Sequence, residues 1–594
     1  MIKQQLVHAE FSGCVVTTSR AQLTPPGQRR ANAYTAESGN RPISQTSPKD
    51  ECDGQWSCSG VIVDRNLGVV ICQGSIFFPF LKKTGNGLAA SDHPILSADD
   101  FHPDLSIRVE CPLEPKINTK IGTGICNEVL GHRPELENVP VSTPQSERMQ
   151  VQAQLLMVLP CPEFQNAFSR LFRKENGWVF SSEEEKTEYG EFQKDLAYLH
   201  WFAVLHLQSP LTKTPHTMAI MDSTRLVKGS TVFACGSPFG SFYPDIFLNT
   251  ISKGVLSNTA GDRNAVLLTD ARCLPGSEGG GIYLFEQGVL HLVGIIVAPL
   301  CWKTNEWVGL TLACSISHII ENIIKVPHKA GVAVKSKLEN LQLGNNVLAN
   351  LQRGPGPAEH LMKAAVLVDS GQAWGSGALL NRKVVLTCRH VVRDLSKVLV
   401  KIQRPRVASG QHHTYKRFQT VTGRVVFSTS ESSPYDIAVV ELDEDLPGVF
   451  EPVLASGYSA GEDVLIVGFG AFGESCGPSV TSGVLSAVIS VGNVPVMLQT
   501  SCAVHGGSSG GPLFSARSGE LLGIVASNTR DNTTGATYPH LNFSIPMTVL
   551  QTAIQRYRQS GELRSFGELN KAGHKVQNVW RLQRSPEKVF RSKL

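Results

Sequence analysis

Short apolar runs broken by turn residues recur along most of the chain. Val61-Ile62-Val63, Gly68-Val69-Val70-Ile71 and Ser75-Ile76-Phe77 are early examples, rich in β-branched residues and flanked by polar or glycine positions. Runs of this kind predict strands, and long stretches with apolar residues at helical spacing are rare anywhere in the sequence. The pattern therefore predicts an all-β protein. An exception lies near the end, where Met547, Leu550, Ile554 and Tyr557 fall on one face of a predicted C-terminal helix.

Two stretches depart from this pattern. Residues from about Ser19 to Gly54 are rich in Pro, Ser, Thr, Gln and Arg, so residues 1–50 are expected to form an irregular leader. Residues 326–360 are polar, carry Gly-Pro-Gly-Pro at 354–357 and read as a linker. The strands on either side of that linker repeat. Residues 374–377 followed by 384–390 answer 56–60 followed by 68–74; residues 435–442 answer 200–207; 461–468 answer 229–236; 483–486 answer 254–257; 507–512 answer 276–281; and 543–545 answer 314–316. The order is kept throughout, so the chain is read as two diverged copies of one fold. The first copy spans residues 51–325, with a charged and polar insert at about 82–194. The second spans 361–558, and a tail covers 559–594.

Candidate chemistry sits in the second copy. His505-Gly506-Gly507-Ser508-Ser509-Gly510-Gly511-Pro512 is a glycine-rich turn with Ser509 at its centre. A serine hydroxyl is a poor nucleophile unless a base takes its proton and donors stabilise the resulting oxyanion. The backbone N–H groups of Gly507 and Ser509 are candidates for that oxyanion hole. Upstream, His390 closes the apolar run Leu386-Thr387-Cys388-Arg389-His390, and Asp436 opens Tyr435-Asp436-Ile437-Ala438-Val439-Val440. Each alone would pass for a structural residue or a flexible loop. Together, in the order His, Asp, Ser, they form the set that acyl transfer to a serine requires.

On these motifs the second copy resembles the chymotrypsin-like (trypsin-fold) serine proteases, closest in style to the HtrA/Deg group. The resemblance implies tandem double β-barrels, two six-stranded antiparallel barrels per copy, with the site in the crevice between them. It assigns His390 as general base, Asp436 as the group orienting it, and Ser509 as nucleophile. In the first copy Gly74, Trp201 and Glu278 stand at the matching positions, so that copy is expected to be catalytically dead and to serve in packing, dimerisation or substrate recruitment. Asp195 has no histidine partner there. The resemblance also places Ala503, six residues before the nucleophile, at the floor of the specificity pocket, with Ser527 on its border. An uncharged floor favours a small or apolar substrate side chain, cysteine included, before the cut bond.

Composition narrows the partners. A formal net charge of +4 over 594 residues is too dilute to argue for nucleic acid. No apolar run approaches the roughly 18–20 residues of a spanning helix, and the start lacks a secretory core, so neither membrane nor secretion is expected. Fourteen cysteines without C-x-x-C pairs suggest free thiols in a reducing compartment, and no motif calls for a metal or organic cofactor. Ser592-Lys593-Leu594 matches the peroxisomal import address, which names the import receptor as a partner. With that tripeptide, the duplication extends the resemblance to peroxisomal proteases that remove leader peptides. The implied substrates are imported matrix enzymes such as those of fatty-acid β-oxidation. The alternative is a general degradative protease of the same compartment. Self-cleavage is expected within the insert, where Cys111 precedes Pro112 and Cys126 precedes Asn127.

Overall fold

Three closed β-barrels, and a seven-stranded sheet in which one further pairing closes six strands into a fourth barrel, organise the chain. The computed structural model describes residues 2–21, 55–82, 95–113, 148–173, 178–179, 198–211, 217–298, 302–303, 306–326, 358–403, 418–446, 448, 450–530 and 537–581.

In the first copy, β1 (Gly13–Arg20), β2 (Trp56–Asp64), β3 (Val69–Gln73), β4 (Leu105–Pro112), β5 (Arg148–Pro160) and β7 (Trp201–Leu207) close in the order β1-β2-β3-β7-β5-β4. Its second sheet runs β12-β9-β10-β11-β16-β13-β8, with β12 also pairing β13. These strands are β8 (Ala219–Ile220), β9 (Thr231–Gly236), β10 (Thr250–Ala260), β11 (Val266–Thr269), β12 (Gly281–Glu286), β13 (Val289–Ala298) and β16 (Thr311–Ser315). Short strands β6 (Trp178–Val179), β14 (Trp302–Lys303) and β15 (Glu306–Trp307) form a small sheet of their own. The second copy repeats the plan. Its first barrel holds β17 (Ala365–Asp369), β18 (Trp374–Leu379), β19 (Val384–Thr387), β20 (Lys397–Gln403), β21 (Phe418–Ser428) and β22 (Ala438–Leu442). The other holds β23 (Asp463–Gly468), β24 (Ser479–Val491), β25 (Val494–Thr500), β26 (Pro512–Ser515), β27 (Leu521–Arg530) and β28 (Thr537–Pro546), followed by the helix Met547–Ser560. Tandem double barrels are the architecture expected.

Three expected boundaries need correction. Residues 1–50 are not an irregular leader throughout: Ile2–Ser12 is helical and β1 pairs with both β2 and β4, burying Cys14, Val15 and Val16. The reason is closure, since a barrel edge left open would expose unpaired backbone groups. The region at 82–194 is not simply an insert either. It contains β4 and β5, and in β5 exposed Gln150, Gln152 and Gln154 alternate with buried Val151, Ala153 and Leu155. That period of two is a half-buried strand. Cys111 is accordingly fully buried inside β4, while Cys126 lies outside the described residues. Finally, the segment after 559 begins with a packed element. Leu563–Lys571 and the helix His574–Trp580 return onto the second copy, burying Phe566 and Leu569 in its core. The 327–357 stretch and Ser592, Lys593 and Leu594 lie outside the described residues. No disulfide joins the eleven cysteines among the described residues to one another, and no described helix is long and apolar enough to cross a membrane.

Candidate active site

The loop between β25 and β26 needs its glycines for room as well as conformation. Gly507 and Gly510 have φ of +92° and +84°, in the left-handed region that favours glycine. A Cβ on Gly510 would lie 2.1 Å from the Ser376 carbonyl oxygen. Ser376 of β18 holds the loop in register: its N–H donates to Ser509 O (2.8 Å), and its hydroxyl donates to Gly507 O (2.8 Å) while accepting from Phe469 N–H (2.7 Å). Within the loop the N–H groups of Ser508 and Gly510 are committed to His505 O and Val525 O. Those of Gly507 and Ser509 have no acceptor among the described residues. Two backbone donors flanking the hydroxyl are therefore open to an incoming oxyanion.

His390 follows β19 in the short helix Arg389–Val392, and Asp436 lies just ahead of the partner strand β22, with Ile437 between them. The ladder between those strands brings the two together. His390 Nδ1 hydrogen-bonds Asp436 Oδ2, and the His390 backbone N–H donates to Asp436 Oδ1 at 3.0 Å. Burial pushes the Asp436 carboxyl up, but the His390 hydrogen bonds and charge, with Arg389, outweigh it and hold it below the usual carboxylate range. An ionised acceptor at Nδ1 keeps the ring proton there and leaves Nε2 free to act as a base. His390, Asp436 and Ser509 line one cleft of about 440 Å³.

Cys388 stands behind the base, its Sγ within 4.8 Å of the ligand atoms of His390 and Asp436. The thiol donates to Val525 O at 3.2 Å, and burial pushes its pKa well up, so it stays a protonated packing group rather than a rival nucleophile.

Ser527 lines the cleft and Ala503 does not. Val504 takes that place, beside His505, Gly506 and Ala526. The offset is one residue: Ala503 packs into the core that contains Ala471 and Phe472, while Val504 lines the cleft. Val504 and Ala526 keep part of this wall apolar, beside the polar His505 and Ser527.

The first copy keeps the loop and fills it. Ser59 N–H donates to Glu278 O at 2.8 Å and Ser59 Oγ to Gly276 O at 2.7 Å, repeating the two bonds of Ser376 and placing Glu278 at the serine's position. Gly276 N–H, the counterpart of the Gly507 donor, points to Glu278 Oε2 at 2.6 Å, and Glu278's own N–H also bonds its carboxylate. Burial pushes the Glu278 carboxyl up while these two donors pull it back. The carboxylate thus sits where an oxyanion would form. Trp201 is at the acid's place, since Pro160 opposite it continues the same bulged ladder. For the base there is a correction. Ile71 opposite Val204 matches Leu386 opposite Val439, and counting forward puts Ser75, not Gly74, at the position of His390. Neither can serve as a base.

Residues 375–524 match the trypsin-like peptidase domain family. A peroxisomal leader peptide-processing protease from Mus musculus is 44% identical over 615 residues, covering 99% of this chain and 98% of its own length. The protein of that name from Homo sapiens is 44% identical over 605 residues, with the same coverage. A putative protease Do-like 14 from Arabidopsis thaliana is 28% identical over 245 residues, which is 38% of this chain and 52% of its own.

Proposed function

The chain belongs to the family of the peroxisomal leader peptide-processing proteases, and on that premise we propose that His390, Asp436 and Ser509 are the catalytic triad of its second copy. The protein is a serine endopeptidase of peroxisomes that processes peroxisomal proteins. Ser509 Oγ attacks the scissile carbonyl as His390 Nε2 takes its proton. Asp436 holds the ring and offsets the imidazolium charge. The tetrahedral oxyanion accepts the N–H groups of Gly507 and Ser509; His390 then protonates the leaving amine, and water releases the acyl group by the same steps in reverse roles. The observation that carries this reading is the His390–Asp436 pair lining one cleft with Ser509, beside two uncommitted backbone donors.

The finer substrate reading is a single cut after a small or apolar residue, cysteine included, in leader-bearing enzymes such as those of fatty-acid β-oxidation. Val504 and Ala526 in the cleft wall support it, because an unpaired cation would be stranded there. Import through a receptor that reads Ser592-Lys593-Leu594 belongs to the same proposal. The test is intact-mass analysis of a leader-bearing substrate incubated with the protein or with Ser509→Ala. One cut at the leader junction, absent with the variant, supports processing. Many cuts support the degradative alternative.

A further inference from the structure

We infer that the degenerate first copy is a built-in positioning element for the oxyanion hole of the second, acting through Trp178 and Lys228 on the loop between β23 and β24. This inference rests on the assignment of Ser509 as nucleophile.

Phe469 and Gly470, at the start of the loop 469–478, stand with Trp374 behind Gly507. A Cβ on Gly507 would lie 2.7 Å from Phe469 O and 2.9 Å from Gly470 O, so this loop and the Gly507 turn are in direct contact. Ala471 N–H donates to His505 Nδ1 at 3.0 Å, and Trp374 Nε1 donates to Phe469 O and Gly470 O at 3.0 and 3.1 Å. A shift of residues 469–472 would carry His505 and the Gly507 turn with it.

The other side of the same loop is held by the first copy. Phe472 stacks on Trp178, with ring centroids 5.1 Å apart and planes at 21°, and meets Phe172 edge-on at 5.8 Å. Ala471, Phe472 and Cys476 are buried in the first copy's core rather than in that of their own barrel. Lys228 Nζ donates to Cys476 O and Pro478 O at 2.6 and 3.0 Å. Asn258 Nδ2 donates to Ser479 Oγ at 2.7 Å, and Asp270 accepts from Ser482 N–H and Oγ–H at 2.5 and 3.0 Å. On that strand Thr481 Oγ1 holds Ala503 O at 2.9 Å, next to the pocket wall. Glycine-rich loops of this kind have little rigidity of their own. Here a folded domain supplies it, and catalysis by preorganised donors depends on that rigidity.

The experiment uses the full-length protein with Trp178→Ala, Trp178→Phe and Lys228→Met. Three quantities are compared well below each unfolding midpoint: the rate of Ser509 labelling by a fluorophosphonate, kcat and KM on a peptide, and inhibition by a peptide boronate whose tetrahedral anion needs the hole. Trp178→Ala is expected to slow labelling and kcat at least tenfold and to weaken the boronate similarly, with KM within threefold. Trp178→Phe is expected to restore both to within threefold. Should Trp178→Ala fail to fold, Lys228→Met, which removes two hydrogen bonds and no core volume, is expected to give the same split at smaller amplitude. Folded variants that unfold at lower temperature but label and turn over within twofold of wild type would overturn the inference. Absence of labelling in the wild-type protein would instead refute the nucleophile assignment.

Discussion

Replacing Asp436 by asparagine keeps the shape of the side chain and removes its charge, and the local hydrogen bonds dictate the consequence. The His390 backbone N–H, 3.0 Å from Oδ1, needs an acceptor there, so the amide oxygen of the variant must face it. Its NH2 group then meets His390 Nδ1 and can only donate. The ring proton must move to Nε2, where the proton of Ser509 has to go. The other amide flip sets NH2 against the backbone N–H, leaving donors unsatisfied at about 1–3 kcal/mol, which limits the productive form to between roughly 15% and under 1%. Loss of the carboxylate charge opposite the imidazolium adds to this. A total of about 10³–10⁴ in kcat/KM is expected, close to the ~10⁴ seen when an archetypal triad loses this charge, or roughly 4–5.5 kcal/mol. The assay is peptide hydrolysis at neutral pH, with circular dichroism to show an intact fold. Activity within tenfold of wild type would refute the tautomer argument.

The rest of the molecule is open to similar tests. Gly510→Ala should destabilise by at least about 2 kcal/mol in urea, since φ of +84° and a 2.1 Å approach to Ser376 O leave no room for a methyl group. Glu278→Ser, made in Ser509→Ala, should empty the first copy's oxyanion hole yet give no fluorophosphonate adduct, because Ser75 and Trp201 stand where a base and an acid are needed; an adduct on the introduced serine would contradict the dead-copy reading. Burial pushes Asp270 up to about 6 against the hydrogen bonds from Ser482 and Val255. Its favourable contribution is thus full below its unfolded pKa of about 3.9 and is lost as pH rises through 6. Unfolding free energy of wild type relative to Asp270→Asn should fall from pH 4.5 to 7.5, and a flat difference would refute the assignment. Phe566→Ala should lower stability by about 3–5 kcal/mol, as the ring is fully buried against Phe427 and Tyr557.

The residue types of the proposed triad were easier to read in the sequence than the element boundaries were. The order His390, Asp436, Ser509 and the glycines around Ser509 are local signals, and a triad needs those residue types wherever the fold puts them. Glu278 was readable as a missing nucleophile for the same reason, but not as the occupant of its own oxyanion hole, which depends on a side chain folding back onto Gly276. The start of the first barrel was obscured because β1 is separated from β2 by a long polar stretch. In contrast, β5 carried a clear signal in Gln150, Gln152 and Gln154, hidden by the polar sequence around it. Ala503 shows the limit of counting back from a motif: one residue changes the face. The contact of Trp178 with Phe472 pairs residues of different copies, and no periodicity records it.

On the proposed assignment, proteolysis by this chain proceeds by acyl transfer at Ser509, with His390 as its activator. The decisive experiment is fluorophosphonate labelling of the intact protein followed by peptide mass mapping. One adduct on Ser509, abolished in His390→Ala and absent from the loop around Glu278, is the expected result. An adduct on another residue, or one that persists without His390, would contradict it.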